Sequence, residues 1–529
     1  MTTMTTTPPT THGPTLDPDA LTLDAIRGGA LTGRRVAVLG FARSGIALAR
    51  FLVDAGAAVT VYDTRPADEL SDAIERLEGR TVRLLAGPEI DPAEAWRDAA
   101  LVTTSPAVNP DYPTTEPRLR AALAALRAAR AAGDGTAPAI VSEPDLVLRL
   151  CPAPTVGISG TKGKTTTSAL AHALLAADPD HRAILGGNIG LPLVERLPEL
   201  RPDDRVVIEL SELQLPTLSR GTTVAVFTNV TSDHLDRHGS LEAYRAVKRR
   251  FAGQVDPAGA LVLNLDDPVV AGYAEPGAAR VVPYRLTLPP PGGLGIVDDW
   301  IVANGVDRLG LAGGGSATSV PDGRILPVAE LTLPGRHNQS NALAAIAVAL
   351  LFGVPVDAIR AAAGAFVGVE HRLESVAVIA GIRFVNDSQG TQPDAVVAAL
   401  RAFDPPIVLI AGGRDKGVDL GDLGPVAAER VAAAILIGES GPDLETRFRA
   451  AGLARTERAA TLEAAVRRAA AIAAELRDAA GPRASSGEPV RPTVLLSPAA
   501  ASFDMFADYE ARGRAFKAAV AALAEEGSR

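Results

Sequence analysis

The chain has 529 residues, 47% of them hydrophobic and 22% charged, with a formal net charge of −10. This length exceeds what one hydrophobic core supports, so about three domains are expected, and the apolar fraction excludes a globally disordered chain. The acidic balance argues against a general nucleic-acid-binding protein, although local basic loops can still bind phosphates.

A first domain is expected over residues 21–150, after a tail (residues 1–20) whose threonine and proline content predicts disorder. Residues 34–40 (RRVAVLG) are typical of a buried strand, residues 44–55 of a helix and residues 57–63 of a second strand. The glycine after the first strand suggests a dinucleotide-binding loop. Ala42, however, occupies the position of the middle glycine of that motif, so a dinucleotide cofactor is disfavoured.

A second domain is expected over residues 151–333. Its apolar strand from residue 155 leads into the loop Gly160–Lys164 and a helix over residues 165–176. Such a loop directs backbone N–H groups and the helix dipole at phosphate oxygens. Lys164 would reach the outer phosphates and the Thr165 hydroxyl would bind magnesium. The match is to a short form of the phosphate loop, because Ile158 occupies a position that is glycine in the strict form.

Three further side chains of this domain point to a metal. Glu209 ends the strand predicted over residues 205–210, where a second magnesium contact is common. His234 follows a predicted strand and is a candidate metal or phosphate ligand. Only five of the 52 basic residues are lysines, and Lys248 stands beside two arginines. A lysine amine can form a carbamate with carbon dioxide, which arginine cannot, so Lys248 is a candidate carbamylated metal ligand.

The third domain is expected over residues 334–529, with a helix over residues 340–351 and strands at 383–387, 406–413, 432–438 and 493–498. Strands that alternate with helices predict α/β domains with largely parallel sheets throughout. Asn338 and Asn341 would share a helix face able to contact a nucleobase or ribose, and Arg372 could clamp a transferring phosphate. Three polar strand ends, at 386–388, 412–417 and 497–498, would define one crevice.

The single cysteine, Cys151, excludes an internal disulfide and is typical of a reducing compartment. The amino terminus lacks the long apolar run of a signal peptide. Apolar stretches such as residues 342–351 are shorter than the about 18 residues of a membrane span. We therefore expect a cytoplasmic protein with no membrane partner.

Ten sequence motifs occur here in one order between residues 30 and 520. They are GTKGKTTT, GGNIGLP, ELSELQL, NVTSDHLDRHGS, YRAVKRRF, GRHNQSNALAA, HRLE, NDSQGT, GGRDKG and SPAAASFDMF. In this set the chain resembles the Mur ligases of peptidoglycan synthesis, and most of all the branch that adds D-glutamate to UDP-N-acetylmuramoyl-L-alanine. The resemblance implies a UDP-binding Rossmann-like first domain, a central P-loop domain that binds ATP and two Mg²⁺ ions, and a Rossmann-like third domain that binds the amino acid. We expect a monomer.

The resemblance also implies roles for individual residues. Contacts to ATP are expected from Gly160, Thr161, Lys162, Gly163, Lys164, Thr165, Thr166, Asn338, Asn341, Arg372 and Asp387. Contacts to the UDP-linked substrate are expected from Ser44, Asp63, Thr64, Arg65, Ser105, Asn188, Ser211 and His234. The metal ligands would be Thr165, Glu209, His234 and carbamylated Lys248, and the amino acid would contact Thr391, Lys416, Ser502 and the backbone of Tyr509. The catalytic set would be Lys164, His234, Lys248, Arg372 and Lys416.

Three positions depart from the pattern of the family. Gln389 replaces a lysine and Gln392 an asparagine, while Lys162 stands where asparagine is usual. These departures leave L-glutamate open as the amino acid. A ligase that adds glutamate to a folate is also compatible with the ATP motifs, but it needs no uridine-binding domain. A non-catalytic UDP-sugar-binding protein is a third possibility, and it would be expected to lack intact phosphate and metal residues.

Overall fold

The computed structural model describes residues 15–189, 192–231, 240–274, 279–310, 323–333, 335–414, 420–480 and 491–527. The chain forms two compact units, Met1–Phe366 and Val367–Arg529. The first unit contains two β-sheets and the second contains one. These three largely parallel sheets confirm the predicted α/β fold class.

The first sheet is built from five parallel strands: β1 Arg35–Leu39, β2 Ala58–Asp63, β3 Arg83–Ala86, β4 Leu101–Thr104 and β5 Ala139–Ser142. Their spatial order is β3-β2-β1-β4-β5. The helices of this region are α1 Leu23–Arg27, α2 Arg43–Asp54, α3 Ser71–Glu75, α4 Pro117–Ala131 and α5 Glu143–Leu150. Four of the five side chains of β1 are buried, as expected for a central strand that is covered on both faces.

The inner end of the predicted disordered tail is held by the fold. Leu16 N donates a hydrogen bond to Ala100 O at 2.8 Å. Asp19 forms ion pairs with Arg149 at 2.6 Å and with Arg220 at 3.0 Å. Residues 15–20 therefore belong to the ordered first unit, because contacts to distant residues fix a segment whose own composition favours disorder. Residues 1–14 of the predicted tail lie outside the described residues.

The second sheet has nine strands: β6 Thr155–Ser159, β7 Ala183–Gly187, β8 Arg205–Glu209, β9 Val224–Phe227, β10 Ala260–Asn264, β11 Arg280–Tyr284, β12 Gly293–Val297, β13 Trp300–Asn304 and β14 Arg324–Pro327. Their order is β14-β13-β12-β11-β10-β9-β6-β8-β7. Along this spatial order, all neighbouring strands between β7 and β12 are parallel. The β12–β13 and β13–β14 pairs are antiparallel. Its helices are α6 Lys164–Ala176, α7 Leu241–Ala252, α8 Pro268–Ala271, α9 Arg336–Leu351 and α10 Val356–Ala365.

Helix α9 belongs to this unit and not to the third domain, where the sequence placed it. It packs against α6 and lies across β10 and β11. Every residue from Asn341 to Leu351 is buried. A helix that is apolar on all faces must be covered on all sides, and α6 and the second sheet provide that cover. The chain consequently divides after Phe366, whereas the sequence suggested a division after residue 333.

The second unit has one sheet of six strands: β15 Glu374–Ile379, β16 Ile382–Asn386, β17 Ile407–Gly412, β18 Val431–Ile437, β19 Thr456–Arg458 and β20 Thr493–Leu496. Their order is β15-β16-β20-β17-β18-β19, and all pairs except the β15–β16 hairpin are parallel. Its helices are α11 Pro393–Arg401, α12 Leu423–Arg430, α13 Gly441–Ala450, α14 Leu462–Ala480 and α15 Tyr509–Gly527. None of the helices in the described part of the chain combines the length and apolar character that a bilayer crossing requires.

Candidate active site

The loop between β6 and α6 is clamped by the residues that follow β9. Thr161 N donates to Asn229 O at 2.8 Å, and Lys162 N donates to Asn229 Oδ1 at 2.9 Å. The Lys162 carbonyl accepts from Asn229 Nδ2 at 2.9 Å and from Thr228 Oγ1 at 2.6 Å. These bonds fix the backbone of the loop, so little ordering is left for a ligand to impose.

Two glycines of this loop have backbone conformations and close neighbours that disfavour other residues. Gly160 has φ 151° and Gly163 has φ 84°. A Cβ atom would lie 1.9 Å from Thr228 Oγ1 at Gly160, and 2.4 Å from Asn341 Oδ1 at Gly163. Gly163 is also the residue before the first turn of α6. At both positions the backbone therefore approaches neighbouring side chains too closely to leave room for a Cβ atom. Such close approach is typical of a phosphate-binding loop.

The predicted phosphate contacts surround this loop. Lys164 Nζ donates to Gly160 O and to Thr161 O, both at 2.9 Å, so the ammonium lies directly over the loop. Thr165 is buried in the first turn of α6, Thr166 is half-buried, and the Lys162 side chain is exposed. An ammonium held by backbone carbonyls at this point is well placed to turn toward an anion. The roles of these residues toward ATP remain predictions.

Glu209 lies next to the loop because β8 pairs with β6, with Ile158 opposite Glu209. Its side chain is 1% exposed. Oε1 accepts a hydrogen bond from Asn188 Nδ2 at 2.8 Å, while Oε2 is buried and accepts none from any described residue. Ser211, two residues later, donates to Gln214 Oε1 at 3.1 Å. A buried carboxylate oxygen without a donor is the kind of atom that a bound cation satisfies.

Helix α7 brings Lys248 to the same loop. The Lys248 side chain is 1% exposed, and its Nζ donates to Gly160 O at 3.2 Å. Nζ also lies 4.9 Å from the centre of the Tyr244 ring. The Tyr244 hydroxyl is 2.9 Å from Thr161 Oγ1. Tyr244 and Lys248 are four residues apart, so they share the helix face that meets the loop.

The amide side chains of α9 approach the loop from the other side. Asn341 is 6% exposed, and its Oδ1 is the atom that fills the space beside Gly163. Asn341 Nδ2 donates to Asn338 Oδ1 at 3.2 Å, as expected for neighbours on one helix face. The structure thus brings both predicted amides to the phosphate-loop region within the first unit.

The predicted substrate residues of the first sheet gather at its carboxyl end. Phe41 N donates to Asp63 Oδ2 at 2.7 Å, and Arg65 donates from both N and Nε to Asp63 Oδ1 at 2.9 Å. Burial raises the pKa of Asp63, but the hydrogen bonds from Arg65 and Phe41 outweigh it and hold the pKa below its ordinary value. Asp63 and Arg65 therefore stabilise the loop after β1, in addition to any contact with a ligand.

Three further residues of the predicted set lie around that loop. Ser105 follows β4 and is 9% exposed. A Cβ at Gly40 would lie 3.3 Å from the Ser105 Cβ. Ser44 is half-buried in the first turn of α2, and Thr64 is half-buried after β2. Parallel strands end at one edge, so these side chains share the edge where α/β sheets bind ligands.

Hydrogen bonds join the first sheet to the second. Arg43, in the first turn of α2, donates to Gly187 O at 3.1 Å, at the carboxyl end of β7. The Tyr112 hydroxyl donates to Glu212 O at 3.1 Å, three residues after Glu209. The loop after β1 is therefore held to the end of β7, and the segment after β4 is held to the segment after β8, within one compact unit.

A buried carboxyl group lies at this junction. Glu143 opens α5 and is 4% exposed. Burial raises its pKa to about 7, although a backbone hydrogen bond from Val194 and the charge of Arg43 act in the opposite direction. Nothing in the sequence pattern indicated this group, because its burial depends on contacts with residues about 50 positions later.

In the second unit, Asp387 follows β16 and is 4% exposed. Ser497 Oγ donates to Asp387 Oδ2 at 2.6 Å, and Leu373 N donates to Oδ1 at 3.2 Å. Burial raises the pKa of Asp387 to about 6, and these hydrogen bonds together with the charge of Arg372 limit the rise. The Arg372 side chain is exposed. Arg372 is thus close enough to act electrostatically on Asp387, and the roles of both residues toward ATP remain predictions.

The predicted amino-acid contacts lie on neighbouring loops of the second unit. Ser502 is 2% exposed, and Ser388 Oγ donates to Tyr509 O at 2.7 Å. Thr391 N donates to Gln389 O at 2.8 Å. Gln389 Oε1 is buried and has no hydrogen-bond partner among the described residues. Two predicted site residues, His234 and Lys416, lie outside the described residues.

Known proteins resemble the chain over nearly its whole length. The Mur ligase middle domain matches residues 158–349, and the Mur ligase glutamate ligase domain matches residues 371–483. A UDP-N-acetylmuramoylalanine–D-glutamate ligase from Symbiobacterium thermophilum is 40% identical over 490 residues, which is 92% of this chain and 98% of that protein. A protein of the same name from Geobacter metallireducens is 37% identical over 93% of this chain and 98% of its own.

The chain belongs to the Mur ligase family. The solved structure of the UDP-N-acetylmuramate–alanine ligase MurC from Thermotoga maritima has the same type of fold. It is 18% identical, has a TM-score of 0.50, and covers 92% of this chain and 99% of that chain.

Mur ligases depend on ATP, and a magnesium ion fits the site of this chain. The partnerless Glu209 Oε2 and the buried Thr165 beside the phosphate loop are oxygen donors of the type that Mg²⁺ prefers. Within the described ranges, no three His, Cys, Asp or Glu side chains cluster closely enough to hold a metal by themselves. Mg²⁺ typically uses one or two carboxylates together with substrate phosphates and water, so a sparse protein ligand set suits it.

Sequence reasoning missed one residue in each unit of this Mur ligase. Asn229 was noted only as part of the His234 motif, yet its side chain holds the loop at Lys162. Its position two residues after β9, a strand that pairs with β6, is the signal that could have indicated this role. In the second unit, Arg512 is buried beside loops that carry predicted amino-acid contacts, and it had no local signal in the sequence.

Proposed function

We propose that this Mur ligase joins D-glutamate to UDP-N-acetylmuramoyl-L-alanine, with conversion of ATP to ADP and phosphate, in the synthesis of peptidoglycan precursors. Relatives that bear the name of this activity are 34–40% identical over at least 92% of the chain. The observation that carries the proposal is the glycine-constrained loop at residues 160–163, with Lys164, Glu209 and Lys248 around it. We further propose that the protein acts as a monomer in the cytoplasm, for which the single cysteine is suitable.

The reaction has two steps. A carboxylate is a poor electrophile, so the alanyl carboxylate first attacks the γ-phosphorus of ATP; a new O–P bond forms, the bridging P–O bond breaks, and ADP leaves. The neutral amine of glutamate then attacks the carbonyl carbon of the acyl phosphate. Collapse of the tetrahedral intermediate expels phosphate, and the nitrogen loses a proton to give the amide.

The residues of the loop stabilise the first step by position and charge. Lys164 is already held over the loop by two carbonyls, and it would turn to the outer phosphates as negative charge moves during transfer. Arg372 would add a second cation beside the transferred group. Contacts to ATP from Gly160, Thr161, Lys162, Gly163, Thr166, Asn338, Asn341 and Asp387 are part of the same proposal.

Thr165, Glu209, His234 and Lys248 would hold the two magnesium ions, which supply neutralisation of phosphate charge when bound. We propose that Lys248 acts as a carbamate, formed when its neutral amine adds to carbon dioxide and releases a proton. Its burial against Gly160 O and the Tyr244 ring supports a role other than that of a surface lysine. In ¹³C-bicarbonate, a carbamate carbonyl signal is expected in the wild type and not in Lys248→Arg. If both proteins lack that signal at saturating bicarbonate, the carbamate is excluded.

Substrate contacts complete the proposal. The UDP-linked substrate would bind Ser44, Asp63, Thr64, Arg65, Ser105, Asn188, Ser211 and His234, which include the carboxyl-end residues of the first sheet. The glutamate would bind Thr391, Lys416, Ser502 and the backbone of Tyr509. Gln389 replaces the lysine that is usual in the family, and this departure keeps L-glutamate as a second candidate.

A substrate panel tests the proposal. Purified protein is given Mg-ATP, UDP-N-acetylmuramoyl-L-alanine and either D- or L-glutamate, and phosphate release and product mass are measured. Release is expected with D-glutamate and not with L-glutamate. The reverse result would select the second candidate. Absence of phosphate with both enantiomers, in a protein that binds the UDP substrate, would reject ligase activity and favour a binding protein.

A further inference from the structure

One arginine is fully buried beneath the loops that carry the proposed amino-acid contacts. Arg512, in the first turn of α15, is 1% exposed. Its Nε donates to Ser388 Oγ at 3.0 Å and its Nη2 to Ser388 O at 3.0 Å. Its Nη1 donates to Ala500 O at 3.2 Å. All three acceptors are neutral, so these bonds orient the guanidinium without cancelling its charge.

The charge of Arg512 has little compensation nearby. No carboxylate among the described residues lies within ion-pair distance of it, and Asp504 is the acidic group that acts on it from further away. Burial lowers the pKa of Arg512 to about 10, which leaves it charged at neutral pH. A buried cation without a counter-ion is costly, and an anion bound next to these loops would reduce that cost.

The hydrogen bonds of Arg512 connect two loops of the proposed amino-acid site, and its guanidinium lies beside a third. Ser388 follows β16 and lies three residues before Thr391. Ala500 follows β20 and lies two residues before Ser502. At the third loop, after β17, a Cβ on Gly413 would lie 3.1 Å from Arg512 Nη1. The hydroxyl of Ser388 in turn donates to Tyr509 O at 2.7 Å. A single side chain thus spaces the groups proposed to receive the amino acid.

We propose that Arg512 is a positioning residue that sets the affinity of this Mur ligase for a dicarboxylic amino acid. Its planar fork fixes the spacing of the loops at Ser388 and Ala500, and its unbalanced charge favours an incoming side chain that is itself a carboxylate. The chain has lost a lysine from this region at Gln389, so the buried guanidinium is a remaining source of positive charge there. The inference rests on the proposed function.

Kinetics of three variants test the assignment. Arg512→Lys keeps the charge and loses the fork, Arg512→Ala loses both, and Arg514→Ala is the matched control. Arg514 lies on the same helix, is 59% exposed, and pairs with Glu510 at the long distance of 3.9 Å. The KM values for glutamate, ATP and the UDP substrate are measured for each, with D-glutamine as a competing neutral substrate and with a thermal melt.

Arg512→Lys is expected to raise the KM for glutamate about tenfold while the preference for glutamate over glutamine is kept. Arg512→Ala is expected to raise it about a hundredfold, to reduce that preference, and to regain activity when free guanidinium ion is added. The KM for ATP should change less than about twofold in both, and Arg514→Ala should match the wild type.

Several outcomes would overturn the assignment: an unchanged KM for glutamate, equal changes in all three KM values, or no guanidinium rescue in a folded Arg512→Ala. If both Arg512 variants fail to fold, Arg512 serves the fold and the proposal is rejected. A wild type that releases no phosphate defeats the proposed function itself, and this result is distinct from a working wild type with unaffected variants.

Discussion

The buried carboxyl group of Glu143 makes a quantitative prediction about pH and stability. Burial raises its pKa from the ordinary 4.5 to about 7 in the folded protein. The folded state therefore holds a proton between these two values that the unfolded state has already released. At about 1.4 kcal/mol for each pH unit, this difference destabilises the folded protein by about 3 kcal/mol above pH 7. Below pH 4.5 both states are protonated and the cost disappears.

Glu143→Gln removes the ionisable proton and keeps an acceptor for the Val194 backbone. We expect it to increase the free energy of unfolding by about 3 kcal/mol at pH 8 and by less than about 1 kcal/mol at pH 5. At about 2 °C for each kcal/mol, the melting temperature should rise by several degrees at pH 8 only. Glu89→Gln, at an exposed glutamate, is the control. An equal increase in the free energy of unfolding at both pH values, or a larger increase at pH 5, would refute this reasoning.

Three further predictions concern the phosphate loop. Lys164→Ala should lower kcat by about 10²–10³ while calorimetry shows unchanged binding of the UDP substrate; parallel loss of both would contradict its proposed role. Glu209→Gln should raise the Mg²⁺ concentration needed for half-maximal phosphate release by at least about tenfold, because one oxygen of the proposed ligand is replaced; an unchanged magnesium titration would argue against that ligand. Gly163→Ala should raise the KM for ATP about tenfold or more, since its Cβ would meet Asn341 at 2.4 Å. Gly79→Ala, with a similar φ of 81° and no atom within 4 Å of the added Cβ, should cost stability alone.

Strand positions were predictable from the sequence, and the placement of one helix was not. The strands are continuous apolar runs because both faces are covered, and such runs are visible without any structure. Helix α9 is equally apolar on all faces. That pattern predicts that the helix is buried, but it does not identify the elements that bury it. The sequence placed the helix in the third domain, and this assignment was wrong.

The residues of the candidate site were also only partly predictable from the sequence. Gly160, Gly163 and Lys164 form one short motif, and its strand–loop–helix context predicts a phosphate loop from local sequence alone. The bond from Arg512 to Ser388 joins residues 124 positions apart, and the bond from Lys162 to Asn229 joins residues 67 apart. Contacts over such separations depend on the complete fold, which a local pattern does not contain.

The hydrogen bonds from Arg43 to Gly187 and from Tyr112 to Glu212 tie two sheets into a single body. If the uridine end of the substrate is anchored on one sheet and its acid reacts beside the other, the span between anchor and reacting atom is set by the protein. The first unit then fixes the length of substrate that can react. An acid on a shorter or longer tether would bind at its nucleotide end and still miss the phosphorus, so selection would act on length as well as on chemistry.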